Sequence, residues 1–91
     1  MTAVRIPPVL RAQAGGSKEL SVSGGTVGEV LTAVVAEHPG LRDQIFTADG
    51  SLHRFVNVYL NGRDVRYEGE LTTPVAEHDT IILLPAMAGG T

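Results

Sequence analysis

Between Thr26 and His38 lies the one long stretch of apolar residues at helical spacing, and that stretch limits what the rest can be. Val27, Val30, Leu31, Val34, Val35 and His38 fall at i, i+3, i+4, i+7, i+8 and i+11, the stripe of one buried helical face. Thr26-Val27-Gly28-Glu29 reads as a capping box, in which the threonine hydroxyl accepts from the Glu29 amide and Glu29 reaches back to Thr26. Pro39-Gly40 ends the helix. One helix cannot bury its stripe alone, so in a protein of 91 residues the opposing layer must be a sheet of short strands.

The strands can be read on either side of the helix. Val4 to Leu10 is a first strand, with Pro7-Pro8 placing it at an edge or a bulge. Ala14-Gly15-Gly16-Ser17 is a turn, and Lys18 to Ser23 alternates polar and apolar residues as a second strand antiparallel to the first. Gly24-Gly25 breaks the pattern before Thr26. Leu41 to Leu52 reads as a loop with a turn or two of helix over Leu41, Ile45 and Phe46, closed by Ala48-Asp49-Gly50-Ser51. Phe55 to Leu60 is a strand, Asn61-Gly62 a two-residue hairpin and Asp64 to Tyr67 a short return strand. Glu68 to Glu77 is irregular and anchored by Leu71 and Val75. Thr80 to Leu84 is the last strand, apolar at both parities as if both faces were covered. The order hairpin, helix, hairpin, final strand describes an α+β fold: a mixed sheet of four to five strands with one main helix on one face and the other face open. Residues 1–85 form the domain and 86–91 a tail.

That tail, Ala86-Met87-Ala88-Gly89-Gly90-Thr91, adds little to a core. Glycine loses more backbone freedom on ordering than any other residue. Extended, Ala86 to Gly90 would reach roughly 17 Å from the last strand. A slim terminus of this kind suits a backbone carboxyl delivered into another protein's narrow active site; on composition alone a frayed end is the alternative.

Composition removes several function classes. The apolar share of 43% and charged share of 19% are those of a globular domain. No cysteine is present, which excludes disulfides, thiolate metal sites and thiol nucleophiles. A net charge of −3, with six scattered arginines read as solvated surface with a few partner contacts, argues against nucleic acid. The first residues lack signal-peptide organisation and no apolar run approaches spanning length, so a cytoplasmic protein without membrane attachment is expected. His38, His53 and His78 lack metal-ligand spacing; His38 suits a helix C-terminus and the other two suit loop surface. The serines form no nucleophile elbow, and the paired glycines lack the Lys-Ser/Thr of a phosphate loop. Asp43, Asp49, Asp64 and Asp79 read as turn and cap residues. No catalytic site is found, so the protein is not expected to be an enzyme.

Several pieces in order carry a resemblance. They are Leu10-Arg11 with Gly15-Gly16, Thr26 to Leu31 at the helix start, Val58-Tyr59-Leu60-Asn61-Gly62, Asp79, and Leu84-Pro85-Ala86-Met87-Ala88-Gly89-Gly90. Together they resemble the MoaD/ThiS sulfur-carrier family, which has the ubiquitin-like β-grasp fold. His53 to Asn61 with Asp64-Val65-Arg66 is most similar to its actinobacterial CysO branch. Two positions depart from the family pattern: His78 stands where a glycine usually precedes the aspartate, and Thr91 follows the second glycine.

The resemblance implies a carrier whose Gly90 carboxylate is adenylated with ATP by a ubiquitin-activating-type partner and converted to a thiocarboxylate. With no cysteine, that terminus is the only seat for sulfur. Ala88, Gly89 and Gly90 would form the working tail. Thr91 would have to be removed first, by a zinc metalloprotease. A pyridoxal-phosphate cysteine synthase would accept the sulfur in the CysO-type version, and the carrier itself would bind no cofactor and no metal. The small subunit of molybdopterin synthase, a carrier for thiolation of a sugar or aromatic acid, and a ubiquitin-like tagging module are the alternatives. Strand parity adds a partner-docking surface beside the tail: if Ile81 and Leu83 face the helix, then Ile82, Leu84, Phe55 and Tyr59 face out and join Met87. Otherwise the 41–52 loop covers Phe55 and Tyr59.

Overall fold

The helix forms where its cap begins it. In the computed structural model, which describes residues 1–85, α1 spans Val27–Glu37. The Thr26 hydroxyl accepts from the Glu29 amide at 3.2 Å, and the Glu29 carboxylate accepts from the Gly25 amide at 2.7 Å, one residue beyond the expected Thr26. Val27, Val30, Leu31, Val34 and Val35 are buried, and His38 is the C-cap. The stripe lies on a five-stranded sheet: β1 (Thr2–Arg5), β2 (Glu19–Val22), β3 (Val56–Leu60), β4 (Arg63–Asp64) and β5 (Thr80–Pro85). Its order is β2-β1-β5-β3-β4. The β1–β5 pair is parallel and the other pairs are antiparallel, so the sheet is mixed and the arrangement is the expected β-grasp.

Strand β5 lies at the centre, between β1 and β3, and its alternation sets the inside and outside of the sheet. Ile81 and Leu83 are fully buried with Val4, Val56, Val58 and Leu60 in the helix-facing core. Gly24, between β2 and α1, is required by close approach: a Cβ there would lie 2.8 Å from the Val30 backbone nitrogen. Asn61 and Gly62 have φ of 51° and 88°, and the flanking pair Leu60–Arg63 closes a two-residue type I′ turn.

Three expectations need correction. The first strand ends at Arg5, and Pro8–Ala14 is a 3-10 segment that buries Leu10 and Ala14. Strand β1 is therefore interior to the sheet. Its prolines lie past the ladder, where a missing N–H costs no strand pairing. The return strand stops at Asp64, because its carboxylate accepts from the Arg66 amide at 2.9 Å and starts a 3-10 turn, Val65–Tyr67. The last strand is fully covered on one face only: on the other, Thr80 and Ile82 are half-buried and Leu84 is 43% exposed. Elsewhere the expected loop holds one short helix, α2 (Arg42–Ile45), with Leu41 and Ile45 buried. Val75 is buried and Leu71 packs against the core as expected.

Candidate functional site

Pro85 is the last residue of β5 and the last that the structure describes, and the residues beside it are placed by β5 and β3. Tyr59 pairs with Ile82, and Asn57 pairs with Leu84, so Tyr59, Ile82 and Leu84 share the outer face of the sheet. Arg5 of β1 pairs with Ile82 from the other side and Asp64 of β4 with Tyr59. The apolar pair is thus flanked by a cation on one strand and a carboxylate on another. Phe55 lies in the turn before β3 and is 47% exposed. Its ring centroid is 5.0 Å from that of His53, and the Arg54 guanidinium lies 5.3 Å from it. The 41–52 segment does not bury Phe55; its own aromatic, Phe46, packs against the core instead. Of the residues expected to dock a partner, Tyr59, Ile82 and Leu84 come together, Phe55 sits at their margin, and Met87 lies outside the described residues. So do Ala88, Gly89, Gly90 and Thr91.

An open groove of about 480 Å³ adjoins Pro85, with Val9, Leu10, Phe55, Val56 and Pro85 as apolar walls and Asp43 among its polar lining. Sequence reasoning missed Val9 and Leu10, which it assigns to a strand. It also missed Arg66, which it counts as solvated surface. Arg66 Nη1 donates to Asn57 Oδ1 at 2.8 Å, and Nη2 donates to the Val56 and His53 carbonyls at 2.9 and 3.1 Å. The planar guanidinium therefore holds the start of β3 and the turn carrying Phe55 against the hairpin. The only signal was position: an arginine just after a tight hairpin lies back along the strand that entered it.

The remaining polar side chains brace turns. Asp79 accepts from the Ala76 amide at 2.7 Å and from Asn61 Nδ2 at 2.9 Å, and these bonds hold its carboxyl below the ordinary value of 3.8. Asp49 is also held low, first by the Thr47 hydroxyl and then by the Ser51 amide. His78, exposed, precedes Asp79 in the turn before β5. Among the described residues no three His, Asp or Glu side chains cluster as metal ligands do, and no helix is long and apolar enough to cross a membrane. The described surface presents an outer sheet face with Tyr59, Ile82 and Leu84 and a groove beside Pro85.

Comparison with known proteins places this architecture. The model of the ThiS family matches residues 4–90. The chain belongs to that family. This ThiS-family protein is 44% identical over 89 residues to the sulfur carrier protein CysO of Mycobacterium tuberculosis, a match that spans 96% of both proteins. It is 37% identical over 82 residues to small archaeal modifier protein 1 of Haloferax volcanii, covering 87% of this protein and 90% of that one. One component of the crystal structure of the Amycolatopsis orientalis BexX/CysO complex superposes with a TM-score of 0.90 at 41% identity, covering 99% of this protein and 100% of that component. These relatives are carriers and modifiers by name, and the ThiS-family protein is of that small ubiquitin-like kind rather than an enzyme.

Proposed function

We propose that this protein is a cytoplasmic sulfur carrier that holds sulfur as a thiocarboxylate on Gly90. The observation that carries the reading is the family match ending at Gly90, in a sequence with no cysteine to hold sulfur elsewhere. A Gly90 carboxylate oxygen attacks the α-phosphate of ATP on an activating enzyme, and pyrophosphate leaves. A sulfur nucleophile then displaces AMP from the acyl carbon. Adenylation supplies the good leaving group that a carboxylate lacks, and the resulting sulfur is a better nucleophile than the oxygen it replaces. Thr91, which lies beyond the matched segment, is removed first, because as an amide the Gly90 carbonyl cannot be adenylated in this way. A zinc metalloprotease is the class of enzyme proposed for that step.

The face around Tyr59, Ile82 and Leu84, with Phe55 at its margin and Met87 beyond, docks the activating enzyme and a sulfur-accepting synthase. The CysO likeness favours a pyridoxal-phosphate cysteine synthase as that acceptor. The BexX/CysO complex of Amycolatopsis orientalis supports a carrier of this type meeting a protein partner. Incubating the protein ending at Gly90 with an activating enzyme, ATP and a sulfur source should yield the mass change of one oxygen replaced by sulfur. The protein that retains Thr91 should stay unchanged until that residue is removed. A sulfur-loaded pool that retained Thr91 would defeat the processing step.

A second reading follows from the likeness to a small archaeal modifier protein: Gly90 joined by isopeptide bonds to lysines of other proteins. Stable conjugates in place of a thiocarboxylate would select it.

A further inference from the structure

The Asn61-Gly62 hairpin turn is tied to the turn before β5 by several hydrogen bonds, although the site is exposed. Asn61 Nδ2 donates to Asp79 Oδ1 at 2.9 Å, and Asn61 Oδ1 accepts from the Thr80 amide at 3.0 Å. The Asn61 amide in turn donates to the Thr80 carbonyl at 2.9 Å. Asp79 is fixed from its other oxygen by the Ala76 amide. One side-chain amide thus spans the β3–β4 turn and the first residue of the central strand.

The same dipeptide carries a reaction of its own. An asparagine side chain is open to attack by the backbone nitrogen of the next residue when that residue presents little bulk. Gly62 presents none, and the space where a Cβ would stand is empty to 4 Å. The other asparagine, Asn57, precedes the branched, fully buried Val58 and is bonded to Arg66. We propose that Asn61 is a deamidation site gated by its clasp to Asp79, and that deamidation there releases the hairpin from the strand leading to the C-terminal segment.

In the step, the Gly62 nitrogen bonds to Asn61 Cγ and the bond from Cγ to Nδ2 breaks. The amide nitrogen leaves as ammonia with the proton that Gly62 gave up. Water opens the resulting succinimide at one carbonyl to give aspartate, or at the other to give an isoaspartyl link with an extra methylene in the backbone. Bringing Cγ to the Gly62 nitrogen requires the Asn61 amide to leave both Asp79 and Thr80, so the folded protein reacts only through local opening. After reaction the clasp cannot re-form: a carboxylate at residue 61 faces the Asp79 carboxylate with no proton between them. The isoaspartyl product also lengthens a turn whose register allows two residues.

The 91-residue protein incubated at mildly alkaline pH, natively and in urea, tests this by intact mass and isoaspartate peptide mapping. Reaction is expected at Asn61 and not at Asn57, and more slowly in the native protein than in urea. Asp79→Ala should speed native deamidation about tenfold, the loss expected for one hydrogen bond to a charged group. Equal native and urea rates, an unchanged rate in Asp79→Ala, or reaction at Asn57 first would each overturn the gate. A swap covers the case in which Asp79→Ala fails to fold. Asn61→Asp should lower Tm, and adding Asp79→Asn should restore it, because the donor and acceptor then exchange places across the same contact. A double variant no more stable than the summed single effects would show that the clasp does not hold the junction.

Discussion

Arg66 shows how a single residue organises a surface it does not dominate. Its guanidinium reaches two backbone carbonyls and the Asn57 side chain at once, which a lysine's single ammonium cannot match. Arg66→Ala should lower stability by about 1–3 kcal/mol, because it leaves half-buried acceptors unpaired, and Arg66→Lys should recover little of that. Urea unfolding of the three proteins measures both. Asp79 makes a prediction of the opposite kind, read in pH. Its folded carboxyl is held below 3.8, mainly by the Ala76 amide and then by Asn61, so its contribution is fully present above that unfolded value. It is lost as pH falls through the depressed folded value. Thermal melts on a descending pH series should show Tm falling below pH 3.8, with a shallower fall in Asp79→Asn.

Among the elements, α1 and the β3–β4 hairpin were legible because their signals are local. A capping residue, an amide three positions on and a glycine in the left-handed region act within a few residues, and tertiary packing had only to agree with them. Thr26→Ala should cost about 1 kcal/mol by leaving the Glu29 amide without its acceptor, an effect that chemical denaturation resolves. The first strand was misread for a matching reason. Its apolar residues continue through Ile6 and Leu10, but the first packs after the strand ends and the second from a 3-10 turn. Apolar sequence reports burial, and proline here reports where pairing stops rather than where the sheet ends. The short return strand was overread similarly: the Asp64 cap, a contact to the residue two positions on, outcompetes further pairing.

Across the molecule, the two parities of β5 have different surroundings, buried for Ile81 and Leu83 and open for Leu84. Leu83→Ala removes a fully buried side chain from the centre of the sheet and should cost about 2–5 kcal/mol. Ile82→Lys alters the outer face beside Tyr59 and should shift stability by no more than about 1 kcal/mol while abolishing association with an activating enzyme. Calorimetry and a binding titration on both variants separate the roles; loss of both properties in Ile82→Lys would remove the docking face from the proposal. Residue order was enough for the helix and its buried stripe, the hairpin turn, the alternation that sends Ile81 and Leu83 inward, and the resemblance that ends in Gly-Gly. Each of these depends on spacing between near neighbours. Folding in three dimensions was needed to make β1 interior, to bring Arg66 back to β3, to clasp Asn61 onto Asp79, and to line a groove beside Pro85 with Val9 and Leu10. These are contacts between segments distant in sequence, brought together by the parallel β1–β5 pairing and the antiparallel return onto β3, and no local spacing encodes them.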